Sequence, residues 1–153
     1  ALDGLIEGGF VAERTVDIGC GTAVLAMAAA RIWPGLHLAS DIDQVAVDVA
    51  LANLRANDMD GQVTCLEAAG FDHPDLAAHA PYDLIFANIL KGPLVALAPD
   101  VASHLRPGGH AILSGILNEQ ADDVIAVYAG SGINLTDREM IGDWTTLVLT
   151  KKS

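Results

Sequence analysis

The chain has 153 residues, enough for one compact domain with its own core. Hydrophobic residues make up 52% and charged residues 18%, which excludes a disordered chain, and no apolar run reaches the roughly 18 residues of a membrane span. The net charge of −12 would repel a phosphate backbone, so direct nucleic-acid binding is not expected. That charge favours a cationic partner, although it also serves solubility alone. The chain opens at Ala1 without a methionine or a basic-then-apolar leader, which suggests a piece of something longer. Cys20 and Cys65 lie far apart without CxxC spacing. Neither a disulfide framework nor a zinc site is expected, and a reducing cytoplasm is the simple inference. A monomer is expected.

Short apolar runs alternate with helical patterns along the chain, the signature of an α/β parallel sheet. A first strand is predicted at Thr15–Ile18 and a helix from Ala23 to Arg31, closed by the Pro34-Gly35 turn. Leu36–Ser40 forms a second strand, and Asp43 caps a helix running to Asn57 whose Val45, Val49, Ala52 and Ala56 share a face. Asp60-Gly61 turns the chain into a third strand at Gln62–Leu66. Phe71–Ala80 holds at most one short helix after Pro74, and Tyr82–Ala87 reads as a central fourth strand. One helix is predicted from Pro93 to His104. Pro107-Gly108-Gly109 then turns into a fifth strand, His110–Ser114, followed by a helix over Glu119–Ala129. Ile133–Arg138 and Trp144–Thr150 are joined too tightly for a crossover helix, so they pair antiparallel. The predicted fold is a Rossmann-like, seven-stranded, mostly parallel sheet with one antiparallel strand and helices on both faces.

Open parallel sheets bind ligands at the carboxyl ends of their strands, where the winding direction switches. Gly19-Cys20-Gly21 follows the first strand directly. Glycines there let the backbone turn tightly, and the next helix offers free N–H groups. A dinucleotide fingerprint would carry a third glycine where Val24 stands. Asp17 would be repelled by a pyrophosphate but attracted by the ammonium and sulfonium of S-adenosyl-L-methionine. Asp41 lies 22 positions after Gly19, near the spacing at which a carboxylate accepts from ribose hydroxyls. The constellation favours S-adenosyl-L-methionine as cofactor.

Each residue has a plainer reading beside this one. Asp17 could cap the following turn, and Cys20 suits a small loop residue better than a nucleophile. Asp43 as a helix cap explains the second carboxylate of Asp41-Ile42-Asp43 more simply than a metal does. The five histidines show no ligand spacing, with His104 and His110 expected on the surface. Asp122 and Asp123 suit a helix start.

The stretch Tyr82-Asp83-Leu84-Ile85-Phe86-Ala87-Asn88-Ile89-Leu90-Lys91-Gly92-Pro93-Leu94 adds a more specific signal. With Leu97-Ala98-Pro99, Pro107-Gly108-Gly109, Ser114-Gly115-Ile116-Leu117 and Trp144-Thr145-Thr146-Leu147-Val148-Leu149, it resembles the bacterial ribosomal protein L11 methyltransferases. The glycine loop alone indicates only the wider class I methyltransferases. The resemblance implies methyl transfer to lysine side chains and an N-terminal α-amine of a basic ribosomal protein. It matches Gly19, Asp41 and Asn88 to cofactor-contacting positions, beside Asp17 and Gly21 of the loop. Asn88 ends the central strand, where its amide could align an acceptor amine or orient the methionine part of the cofactor. An asparagine satisfying a turn is the plainer reading. Ile89-Leu90 departs from the Asn-Pro-Pro-Tyr of enzymes that act on planar nitrogens.

Three departures from the family pattern stand out. Ala23 replaces a third loop glycine, a change expected to be tolerated because that glycine mainly serves packing. Lys91 adds a cation near the mouth of the site. An upstream substrate-recognition domain and a threonine-bearing loop, which the family carries, are absent from residues 1–153, which form a single predicted domain. Other readings are a small-molecule methyltransferase, a cofactor-binding module without catalysis, and a nucleotide-binding oxidoreductase, against which Asp17 and Val24 speak.

Overall fold

The computed structural model describes residues 2–153. The elements in chain order are α1 (Leu2–Glu7), β1 (Arg14–Ile18), α2 (Val24–Ile32), β2 (Leu36–Asp41), α3 (Gln44–Ala56), β3 (Val63–Glu67) and α4 (Pro74–Ala78). There follow β4 (Tyr82–Asn88), α5 (Lys91–Ala96), α6 (Ala98–His104), β5 (Leu105–Leu117), α7 (Ala121–Gly130), β6 (Ile133–Ile141) and β7 (Trp144–Lys151). The sheet order is β3-β2-β1-β4-β5-β7-β6. All neighbours are parallel except that β7 runs antiparallel to both β5 and β6. The predicted seven strands with one reversed are therefore present. The winding switches between β1 and β4.

Alternation along the strands divides the core. Val16 and Ile18 of β1, Leu38 of β2, Ile85 and Ala87 of β4, Leu113 of β5 and Leu147 of β7 share one cluster. α4 to α7 cover it through Leu76, Leu94, Val101, Val124 and Tyr128. Intervening residues face the other way, where α2 and α3 pack Ala26, Met27, Ala50 and Leu54 against Ala39 and Val63. Beside them Leu84, Phe86, Ile112 and Val148 meet Trp33, with Leu2, Leu5 and Phe10 packed against that cluster from α1 and the segment after it. α1 was not foreseen. Asp83 ties the entry of β1 down by accepting from the backbone N–H groups of Glu13 (2.7 Å) and Arg14 (2.8 Å) and pairing with Arg106.

Several elements differ from expectation for identifiable reasons. Asp43 caps α3 as predicted, its Oδ1 accepting from the Val45 N–H at 3.0 Å. The buried stripe of α3 is Val47, Ala50 and Leu54, however, and Val45 and Val49 are exposed. α3 carries apolar residues on more than one stripe, and the one holding the bulky Leu54 takes the sheet. The predicted helix from Pro93 to His104 is two helices meeting at Leu97. Pro99 has no N–H to give the carbonyl of Val95, so the ladder breaks there. The strand from Leu105 is longer than predicted, but Arg106–Gly109 lies outside the pairing: Tyr82 faces Leu105 and Leu84 faces His110. The turn expected at Pro107-Gly108-Gly109 is thus a bulge within β5. Among the described residues no helix is long and apolar enough to cross a membrane.

Candidate functional site

At the carboxyl ends of β1, β2 and β4 lies a cleft of about 630 Å³. That volume lies within the range usual for small-ligand sites. Gly19, Asp41 and Asn88 line it, with Ile42, Gly70 and Leu97 on its walls and Asp100 reaching it from α6. Three residues singled out from the sequence thus meet at the topological switch point. Asp17 and Gly21 do not line the cleft. They belong to its support.

The loop is built by backbone demands. Gly19 and Gly21 have φ of +70° and +53°, where a side chain is strained. A Cβ on Gly19 would stand 2.4 Å from Ile89 Cγ2, so glycine there also permits the close approach of the β4 end. A Cβ on Gly21 would meet nothing within 4 Å. Ala23 has φ of +64° as the residue preceding α2. The glycine usual at this position therefore serves conformation, and the packing explanation for tolerating Ala23 is incomplete. An alanine held in the left-handed region costs about 1–2 kcal/mol.

Asp41 organises the loop. Its Oδ2 accepts from the Gly21 N–H at 3.1 Å, its Oδ1 from the Asp43 N–H at 3.0 Å, and its backbone carbonyl from the Ala68 N–H at 3.0 Å. Each carboxylate oxygen keeps a second acceptor site, so the side chain can still take two donors from the cleft. Ser40 Oγ donates to the Gly70 carbonyl at 3.4 Å, holding the turn after β3 against β2.

Asp17 is 2% exposed, on the face of β1 under α2. Burial pushes its carboxyl up to about 7; the nearby Ala26 N–H opposes the shift and the Asp41 carboxylate adds to it. Its Oδ1 is buried without a hydrogen-bond partner among the described residues. Native structures rarely leave such an atom unsatisfied.

Asn88 ends β4 opposite Ser114 of β5 and is exposed. Its position depends on Gly115, which has φ of +78°. A Cβ there would stand 2.7 Å from Asn88 Oδ1 and 3.1 Å from the Ile89 carbonyl. Gly115 lies in the Ser114-Gly115-Ile116-Leu117 segment, but its supporting role was not read from the sequence. A glycine following an apolar strand was the available signal.

Lys91 does not line the cleft. It pairs with Asp123 of α7 at 2.8 Å, and its charge holds the Asp123 carboxyl below the usual range. Asp122 pairs with Arg138 at 2.9 Å, so both acids at the helix start hold cations. His104 is half-buried, its ring stacked on Phe71 with centroids 4.3 Å apart. His110 is half-buried against Phe10 and Thr150. The expectation that both are surface residues is corrected accordingly.

The family described as ribosomal protein L11 methyltransferase (PrmA) matches residues 1–152. A ribosomal protein L11 methyltransferase of Brucella abortus (strain S19) is 44% identical over 137 residues, covering 90% of this chain and 48% of the relative. One of Chelativorans sp. (strain BNC1) is 48% identical over 135 residues, covering 88% and 47%. The chain therefore spans about half the length of these curated relatives. The crystal structure of a ribosomal protein L11 methylase from Lactobacillus delbrueckii subsp. bulgaricus superposes with a TM-score of 0.85 at 26% identity, over 99% of this chain and 77% of that one. A methyltransferase from Pyrococcus furiosus shares the fold, with a TM-score of 0.79 at 19% identity over 99% and 82%.

Proposed function

The chain belongs to the ribosomal protein L11 methyltransferase family, and from that premise we propose that it is the domain of such an enzyme that binds S-adenosyl-L-methionine and transfers its methyl group to amines of a basic ribosomal protein. The observation that carries the reading is the convergence of Gly19, Asp41 and Asn88 on one cleft at the switch point.

The residues present fit the cofactor. The free acceptor sites of Asp41 suit two vicinal ribose hydroxyls, and Ile42 with the Ala68–Gly70 turn gives a purine ring apolar surface. Asp17, buried beneath the loop and outside the cleft lining, favours the ammonium of the methionine part through its charge and without contact. When bound, S-adenosyl-L-methionine would supply a sulfonium methyl that an amine attacks in line, the C–S bond breaking to release the neutral thioether S-adenosylhomocysteine. The chain's own task is then to align a neutral amine. A lysine amine has an ordinary pKa near 10.4, and the apolar rim of Ile89, Leu90 and Pro93 disfavours its charged form by desolvation. Solvent takes the proton before attack. The Asn88 amide oxygen would accept from one N–H of that amine and so orient it at the end of β4. The net charge of −12 steers a basic protein towards the site and away from nucleic acid. The reading carries with it a monomeric cytoplasmic protein, testable by sedimentation.

Calorimetry with S-adenosylhomocysteine and with NAD, beside methyl transfer to ribosomal protein L11 and to small amines, tests the proposal. Binding of S-adenosylhomocysteine alone and labelling of the protein acceptor are the expected results. Asn88→Ala should lower methyl transfer by about 100-fold while the far-ultraviolet dichroism is kept. Full activity in that variant would remove Asn88 from the mechanism.

A further inference from the structure

Cys20 and Cys65 are 45 residues apart in the chain but adjacent in space, with Sγ atoms 3.8 Å apart. Cys20 occupies the middle of the glycine loop, while Cys65 lies on β3, paired with Ala39 of β2. Both are free thiols; Cys20 is buried and Cys65 half-buried. A disulfide requires about 2.05 Å between sulfurs, so closure needs the pair to draw in by less than about 2 Å. Met27 and Met59 share the core cluster of the two cysteines, and their flexible side chains can repack around the shift. We propose that Cys20 and Cys65 form a reversible modification site, closing to an intramolecular disulfide under a hydroperoxide and thereby loosening the loop's hold on the methyl donor. The loosening rests on the proposed function; the disulfide does not.

The two sulfurs have distinct parts. Cys65 is the more exposed, and the hydrogen bond between the two sulfurs lowers its thiol, against burial and the nearby Asp17 and Asp41. The Cys20 thiol is pushed up by that same bond, then by burial and by the charges of Cys65, Asp17 and Asp41. Cys65 therefore loses its proton first, to solvent. Its sulfur attacks the hydroperoxide, the O–O bond breaks, and an alcohol (water, from hydrogen peroxide) leaves with a solvent proton. Cys65 is then a sulfenic acid. The Cys20 sulfur attacks the Cys65 sulfur, the S–O bond breaks, and the departing hydroxide takes the Cys20 proton as water. Two thiols lose two electrons and one hydroperoxide gains them.

The bond would pull on a loop with little slack. The Cys20 N–H donates to the Ser40 carbonyl at 2.9 Å, its carbonyl accepts from the Ala23 N–H at 2.8 Å, and Gly21 is tied to Asp41. Drawing Cys20 towards β3 tilts the peptides of Gly19 and Gly21 on either side. Intracellular disulfides of this kind are typically transient and redox-sensing.

The test treats the protein with hydrogen peroxide and compares it with its reduced form. The expected product is a monomer about 2 Da lighter, with Cys20 and Cys65 peptides linked, both thiols recovered by dithiothreitol. Its affinity for S-adenosylhomocysteine should be weaker by about tenfold or more. Amide resonances of Gly19 and Gly21 should shift on oxidation, a readout needing no ligand. Cys65→Ser should bind as the reduced protein does and show neither change under peroxide. Disulfides only between chains, or a sulfinic acid on Cys65 in place of the linked pair, would overturn the site. A linked monomer with unshifted glycine resonances and unchanged affinity would overturn its effect on the loop. If the reduced protein binds no S-adenosylhomocysteine, the proposed function fails, while mass and resonances still decide the disulfide and its effect on the loop.

Discussion

The two faces of the sheet are packed from different materials. Under α4 to α7 the core is large and apolar, and its two tyrosine hydroxyls are satisfied, Tyr82 donating to the Leu76 carbonyl at 2.7 Å and Tyr128 to that of Leu94 at 2.8 Å. Under α2 and α3 it is made largely of alanine, cysteine and methionine, and it borders the buried Asp17. One face holds the protein together. The other keeps small residues and an uncompensated carboxyl beneath the loop, in keeping with a surface shaped for a ligand.

The difference can be broken or sharpened by substitution, beginning with the largest effect. Asp17 has a folded-state pKa of about 7 against an ordinary 3.8. Between those values the folded protein keeps a proton that the unfolded chain has lost. Its contribution to stability is therefore full below pH 4 and is lost as pH rises through 7, by up to about 4 kcal/mol. Asp17→Asn should flatten that loss in denaturation curves recorded from pH 4 to 8. A wild-type profile that does not decline over this window would remove Asp17 from the contrast. The field of the ionised Asp17 favours the ligand's ammonium, so S-adenosylhomocysteine should bind more tightly at pH 8 than at pH 6, a slope that calorimetry of Asp17→Asn should lack.

On the apolar face, Leu149→Ala removes a fully buried side chain that does not line the cleft. It should cost about 3 kcal/mol of unfolding free energy and leave the S-adenosylhomocysteine affinity of the folded protein unchanged. Asp41→Asn should do the reverse, weakening that affinity by about thirtyfold, or about 2 kcal/mol, with a much smaller change in melting temperature. The smallest effect is expected at Ala23. Ala23→Gly relieves a left-handed alanine but gives up a buried methyl and frees the unfolded chain, so stability should move by less than about 0.5 kcal/mol. A larger change would mean that one of these opposing effects dominates.

Much of this architecture is legible in the residues themselves. Strand runs such as Leu84-Ile85-Phe86-Ala87, the cap at Asp43 and the turn at Gly19-Cys20-Gly21 are local signals whose physics needs no partner. Gly19, Asp41 and Asn88 could be brought together because parallel order places the ends of β1, β2 and β4 at one edge. What could not be read depends on the other side of a contact. The choice of the Leu54 stripe over the Val45 stripe is settled by β2 and β3. The role of Gly115 exists only because Asn88 crosses it, and the nearness of Cys20 to Cys65 only because β3 lies beside β2. Burial of Asp17 is likewise a property of α2 lying above it.

The reversed strand has a consequence for the order in which the molecule can be assembled. β6 touches the sheet only through β7, which is made after it. During synthesis, then, β6 can pack on α7 but has no strand to pair with until the chain has passed residue 151, and the outer edge of β5 stays unpaired until the same moment. Every residue that lines the cleft lies before β5. The residues of the pocket's walls are therefore made early in translation, Asn88 is fixed once Gly115 of β5 follows, and β5 is left as the strand most open to wrong pairing in a nascent chain.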